Sequence, residues 1–239
     1  MRRYILFILI ISLFGCQKSD DESANEPPTG DILGNVVLRD DLDNNLDDWS
    51  GMNVRLKEND NFFAVTDKDG DFEIENVPLG TYTLIYEKPG FGTFKYLRRR
   101  LQNERYIVSS QILGQISTTE IIGLDIEELE KSIKISVTAD PPFSEEVERY
   151  FVFYLSTDQN VSSENYTVRT EVMSSEENPF VTVWDESYLQ SRFNSGSKMY
   201  LKAYGFGIPT NSYPSEKLGR SIYPNLNPNS ADAVSFIVP

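Results

Sequence analysis

The sequence predicts an all-β chain of two tandem β-sandwich domains. Short runs rich in Val, Ile, Tyr, Phe and Thr recur between clusters of Gly, Pro, Asn, Asp and Ser, the pattern of strands joined by turns. No long helical period appears after Gly30. The 239 residues suffice for two small domains, and 39% hydrophobic content with 12% aromatics permits packed cores.

The chain starts Met1-Arg2-Arg3 and runs apolar from Tyr4 to Phe14. A basic start and an apolar run make a secretory signal. The run is too short for a membrane-spanning helix, which takes roughly 20 apolar residues. Residues 1–15 are therefore expected to be a cleaved signal peptide. Leu13-Phe14-Gly15-Cys16 resembles the lipobox of bacterial lipoproteins. That resemblance implies cleavage after Gly15 and acylation of Cys16 with chains such as palmitate. Two or more acyl chains hold a protein firmly to a membrane, whereas one does so marginally. The alternative is an ordinary signal followed by an unrelated cysteine. After Cys16, the residues Lys18, Asp20, Asp21 and Glu22 resemble the Lys-then-acidic signal that sends lipoproteins of one Gram-negative phylum to the outer face of the outer membrane. Ser19 interrupts that pattern. A solvated acidic tether is the plain alternative. Residues 16–29 read as a tether, stiffened at Pro27-Pro28.

The first domain is expected over residues 30–118. Its strand candidates are Ile32–Leu38, Met52–Leu56, Phe62–Thr66, Phe72–Val77, the alternating Tyr82, Leu84 and Tyr86, then Phe94–Leu97 and Tyr106–Ile116. Asp69-Gly70 reads as a hairpin turn, because both residue types tolerate positive φ. The order Thr66-Asp67…Gly70-x-Phe72, then Val77-Pro78-x-Gly80-x-Tyr82, resembles the carboxypeptidase regulatory-like domain, a transthyretin-like sandwich. The resemblance covers Gly30 to Ser117 and implies a non-catalytic module. The insert from Asp40 to Ser50 is longer than that family's usual connection.

Residues 119–131 read as a junction, either a helical turn or an extended linker. The second domain, 132–239, offers Ile133–Val137, Arg149–Leu155, Thr167–Val172, Phe180–Trp184, Lys198–Tyr204 and Ala233–Val238 as strands. Even spacing of short strands argues a sandwich. The stretch containing Tyr200 resembles the sixth strand of fibronectin type III-like domains, one of several Ig-like topologies. A Pro-, Asn- and Ser-rich loop from Gly205 to Ala233 is long for a compact domain, and such loops often carry function.

Charge and missing chemistry narrow the function classes. With 22 basic against 37 acidic residues the net charge is −15, and removal of Arg2 and Arg3 leaves −17. Such a chain repels nucleic acid and anionic lipid, and favours cationic partners. Histidine is absent. That removes imidazole-based triads, imidazole zinc ligands and the commonest general base. Cys16 is the single cysteine, so packing must stabilise the fold without disulfides.

Candidate sites follow from residue type. Asp41, Asp43 and Asp47 offer hard oxygen ligands that suit calcium, but Leu46 and Met52 stand where an EF-hand needs Gly and Glu. A solvated turn accounts for the same residues. Trp49 suits either stacking on a sugar or partner, or plugging one end of the sandwich. Tyr213 and Tyr223 sit among Asn, Ser and Pro, the composition of adaptable binding loops; the alternative is that they pack the loop onto its own sheet. Arg98-Arg99-Arg100 is the one basic run, suited to an acidic partner or to guarding a sheet edge.

The expected function is a non-catalytic, surface-exposed outer-membrane lipoprotein acting as a binding, adhesion or spacer module, with a protein or glycan partner and no required cofactor. The alternatives are a glycan-binding accessory of polysaccharide uptake and a carboxylate-based hydrolase.

Overall fold

A computed structural model of the protein describes residues 27–239. Eight strands form the first sandwich: β1 (Thr29–Arg39), β2 (Asn53–Leu56), β3 (Asn59–Val65), β4 (Asp71–Pro78), β5 (Gly80–Glu87), β6 (Phe94–Leu101), β7 (Arg105–Ile107) and β8 (Gln111–Gly114). One sheet runs β4-β1-β7, with β8 also paired to β1; the other runs β3-β2-β5-β6. Alternation dictates the core. Ile32, Val36 and Leu38 of β1 face Val54, Leu56, Leu84 and Tyr86 of the opposing sheet.

Two details differ from the sequence reading. The segment Tyr106–Ile116 is two short strands, both parallel to β1, with Val108 to Ser110 between them. The Asp67–Asp71 turn is no hairpin: β3 pairs with β2 and β4 with β1, so the turn carries the chain from one sheet to the other. Gly70 at φ +82° allows this, and its carbonyl accepts from the Val36 amide at 2.9 Å. Asp67 Oδ1 accepts from the amides of Asp69 (2.9 Å) and Asp71 (3.0 Å), which accounts for that carboxylate without a metal.

The second sandwich contains β9 (Glu120–Leu129), β10 (Ser132–Asp140), β11 (Arg149–Ser156), β12 (Val168–Arg169), β13 (Met173–Ser175), β14 (Phe180–Asp185), the short helix α1 (Glu186–Gln190), β15 (Lys198–Phe206), β16 (Tyr213–Ser215), β17 (Arg220–Ile222) and β18 (Val234–Ile237). A three-stranded sheet, β14-β10-β9, faces a five-stranded one built on β12-β11-β15-β18 with β13 also on β11. The junction 119–131 is therefore largely strand, a correction to the expected linker. Ile121 and Leu124 of β9 are buried in the second core, and a bulge at Ile122-Gly123, opposite Thr138 and Ala139 of β10, lets both point inward. The acidic residues Glu127, Glu128 and Glu130 mask this apolar pattern in the sequence.

β11 is buried on both faces. Phe151, Phe153 and Leu155 enter the core between the sheets, while Val152 and Tyr154 point the other way. The loop after β15 folds over that outer face, bringing Tyr223, Ile208 and Leu226 onto it. This explains why the run Arg149–Leu155 is continuously apolar rather than alternating. Among the described residues no helix is long and apolar enough to cross a membrane.

The two sandwiches touch through polar contacts. Asp41 is only 6% exposed. Its carboxylate accepts from Thr118, and its carbonyl accepts from the Ile208 amide at 3.1 Å. The Ser117 amide donates to the Asn225 carbonyl at 3.0 Å.

Candidate functional site

A cleft of about 720 Å³ opens between the outer face of the β2-β5-β6 surface and the β16–β17 hairpin. Its first wall is built from strand residues that point away from the core: Thr81 on β5 and Lys95 on β6, with Lys57 just after β2. Its second wall is Tyr213 and Ser215 on β16, then Glu216 and Lys217 in the hairpin turn.

A β-bulge shapes the cleft. Tyr82 pairs with Arg99 and Leu84 with Tyr96, so Leu97 and Arg98 together oppose Thr83. Arg98 takes the left-handed conformation at φ +51°, which costs a non-glycine residue about 1–3 kcal/mol. The bulge swings the Arg98 side chain toward the hairpin, where its guanidinium meets the Glu216 carboxylate. Both members of this pair are largely exposed, so it contributes little stability in itself. Tyr213 anchors the same contact from beneath. Its ring packs edge-on against Phe94 at 6.4 Å, with the Lys95 ammonium 5.2 Å above it. Burial pushes the Tyr213 phenol above its usual range, and Glu164 adds to that shift.

The cleft's charge opposes that of the whole molecule. Lys57, Lys95, Arg98 and Lys217 line it against two carboxylates, in a chain of net charge −15. The two carboxylates are engaged: Glu216 pairs with Arg98, and Glu58 Oε2 accepts from the Thr83 amide at 2.9 Å. Such a surface attracts anions.

The other residues singled out in the sequence lie apart from this cleft. Trp49 packs half-buried on the first core; its Nε1 is buried without a hydrogen-bond partner. Its amide donates to the Lys68 carbonyl at 3.1 Å and its ring edge lies beside Gly70, so it braces the Asp67–Asp71 turn. Asp41, Asp43 and Asp47 do not converge. Asp41 is taken by Thr118, Asp43 pairs with Arg39 at 2.7 Å, and Asp47 is exposed. Among the described residues no group of three acidic, His or Cys side chains is arranged to hold a metal. Asp41 and Asp43 are thus engaged by Thr118 and Arg39 rather than turned toward a shared point. Tyr223 is half-buried, packed on Phe206 at 6.1 Å under the Arg169 guanidinium at 4.0 Å. Of the two alternatives for the tyrosine loop, packing describes Tyr223, which helps cover β11, while Tyr213 reaches the cleft. Of the basic run, Arg98 joins the cleft, while Arg99 stacks on Tyr96 at 3.6 Å. Cys16, Lys18, Asp20, Asp21 and Glu22 lie outside the described residues.

Sequence reasoning missed Lys57, Thr81, Lys95 and Lys217. They come from four separate segments, and isolated lysines on strand ends carry no local signal. The odd spacing of Lys95 from Arg98 even hides the pair, since it puts them on opposite faces of a regular strand and only the bulge brings both to one side.

The family model of the ER membrane protein complex subunit 7 β-sandwich domain matches residues 43–158, a span from the loop before β2 to the end of β11. No curated protein matches the chain. Among solved structures, a candidate carbohydrate-binding protein from Bacteroides uniformis is 14% identical, with 88% of this chain and 99% of that one covered and a TM-score of 0.33. A DUF3823 family protein from Parabacteroides merdae is 12% identical, with 88% and 100% covered and a TM-score of 0.31. A type II cohesin–X-dockerin complex from Acetivibrio cellulolyticus is 20% identical over 35% of this chain, with a TM-score of 0.31; this chain spans 56% of that one. The chain is similar to a β-sandwich family, and its own two sandwiches carry the fold.

Proposed function

We propose that the protein is a non-catalytic binding module, held by a lipid on Cys16 at the outer face of the outer membrane, with the cleft beside Tyr213 as its ligand site. The observation that carries this reading is the cleft of about 720 Å³ between the two sandwiches, a volume within the usual range of ligand sites, about 300–1,000 Å³. Three further points support it. The chain has no histidine for general base work. Each carboxylate in the cleft already has a partner, Glu58 the Thr83 amide and Glu216 the Arg98 guanidinium. The order Thr66-Asp67…Gly70-x-Phe72 and Val77-Pro78-x-Gly80 keeps its resemblance to the regulatory-like module, which accompanies enzymes without catalysing.

The test uses intact cells that make the protein and cells lacking it. Both are exposed to fluorescent polysaccharides and to labelled extracellular proteins. Retention of at least one probe that depends on the protein, without its chemical turnover, is the expected result. Equal retention by both cell types, or release of cleaved product, would overturn the reading.

A further inference from the structure

We infer that the cleft between β6 and the β16–β17 hairpin binds an acidic sugar chain, one that carries carboxylate or sulfate groups on a hydroxyl-rich backbone. This inference rests on the binding-module reading and names the ligand class for the same cleft.

Charge selects an anion. Lys57, Lys95 and Lys217 line the cleft without any ion pair among the described residues, and the fourth cation, Arg98, is held by Glu216. A local excess of positive charge inside a strongly acidic molecule concentrates field at that place and repels anions elsewhere. An anionic chain is therefore steered to this cleft and away from the rest of the surface.

Polarity selects a sugar. Most small-molecule sites are lined chiefly by apolar side chains. Here the hydroxyls of Thr81 and Ser215 stand among the lysines, and the apolar contribution is little more than Leu97, Pro214 and the Tyr213 ring. Lysine ammoniums donate to carboxylate or sulfate oxygens, and hydroxyls both donate and accept, which matches sugar hydroxyls. The half-buried Tyr213 ring gives a rigid amphipathic floor. A lipid surface would be met by a protruding convex basic patch, whereas these cations face one another across a recess.

The wall geometry is fixed before binding. The Arg98 bulge and the Tyr213–Phe94 contact hold the hairpin against the first sandwich, so the ordering that accompanies ligand entry falls on the lysine side chains rather than the backbone.

The experiment is calorimetric titration of the full chain, purified in detergent, with oligogalacturonate, chondroitin sulfate, neutral laminarin and glycerophosphoglycerol, the water-soluble headgroup of phosphatidylglycerol. At least one of the two acidic glycans is expected to bind, more weakly as salt rises, and laminarin is not. Lys57→Glu with Lys217→Glu should weaken that binding by about tenfold or more, the scale of a lost charge contact. Both lysines are exposed, so the thermal midpoint should stay unchanged. Lys134→Glu, on β10 and far from the cleft in the fold, should leave binding unaltered. The inference is overturned if neither acidic glycan binds, if Lys134→Glu weakens binding as much as the cleft pair does, or if glycerophosphoglycerol binds in place of the glycans. Binding of laminarin through Lys57 and Lys217 would overturn the acidic ligand class while leaving the binding-module reading standing.

Discussion

Asp41 Oδ2 accepts two hydrogen bonds from one residue, the amide of Thr118 at 2.6 Å and its hydroxyl at 2.8 Å. The carboxylate sits in the loop after β1, and Thr118 precedes the first strand of the second sandwich. A charged acceptor buried to this degree does structural work, since charge-assisted bonds are stronger than neutral ones. Asp41→Ala should lower stability by about 2–3 kcal/mol, because it also leaves the Thr118 amide without a partner. Asp41→Asn, which keeps one acceptor oxygen, should lose less. Denaturant midpoints of the two variants check the order; an equal effect would show that the hydrogen bonds are not the cause.

Asn211 serves as a substitute strand partner for β8. Its Oδ1 accepts from the Gly114 amide at 2.9 Å, and its Nδ2 donates to the Ile112 carbonyl at 2.7 Å. An unpaired edge is thereby satisfied by one side chain. Asn211→Asp keeps the acceptor and loses the donor. It should cost about 1–3 kcal/mol, because a carboxylate oxygen then faces the Ile112 carbonyl oxygen with no proton between them. Hydrogen exchange at Gly114 should stay slow in this variant and become fast in Asn211→Ala.

Tyr86 is fully buried, and its hydroxyl has no partner. Its ring contacts Phe72 at 6.1 Å and Phe94 at 5.9 Å, contacts that phenylalanine would keep. Tyr86→Phe should therefore be neutral or stabilising by up to about 1 kcal/mol. Burial also pushes the phenol well above its ordinary value of 10.0. The folded state holds this proton more tightly than the unfolded state. The resulting stability is present below pH 10 and is lost as pH rises above it, by about 1.4 kcal/mol per pH unit. Alkaline unfolding should begin at higher pH in Tyr86→Phe than in the parent.

Gly92 lies against the Pro224 carbonyl so closely that a Cβ there would overlap it. The two segments belong to different sandwiches, and both are backbone, so neither can step aside by rotating a side chain. Gly92→Ala should destabilise the protein by about 1–3 kcal/mol. It should also speed hydrogen exchange at Ser117, whose amide is bonded to the neighbouring Asn225 carbonyl. Unchanged exchange at Ser117 would mean that the contact is local only.

The strands were legible where buried apolar residues alternate regularly with polar ones. Val36, Leu38, Ile133, Ile135 and Val137 alternate cleanly, and each lies inside a strand. Legibility failed where pairing is non-local. Whether the Asp67–Asp71 turn closes a hairpin depends on the sheet that β4 joins, and no local residue encodes that choice. It failed again at β9, whose acidic residues hide Ile121 and Leu124. The cleft was the least legible feature. Tyr213 drew notice by composition, but the lysines that give the cleft its charge are brought together only by the hairpin docking on β6. The aromatic loop residue Tyr223 and the carboxylate Asp41 carried plausible binding chemistry in sequence, and packing accounts for both.

Protease shaving tests the surface-displayed binding module most directly. Intact cells and lysed cells are treated alike, and the fragment covering residues 27–239 is followed. Loss of the fragment from intact cells is the result expected for a lipid-anchored module that faces outward and meets its ligand there. Survival on intact cells with loss only after lysis would contradict that placement and turn the search for its ligand to the periplasm.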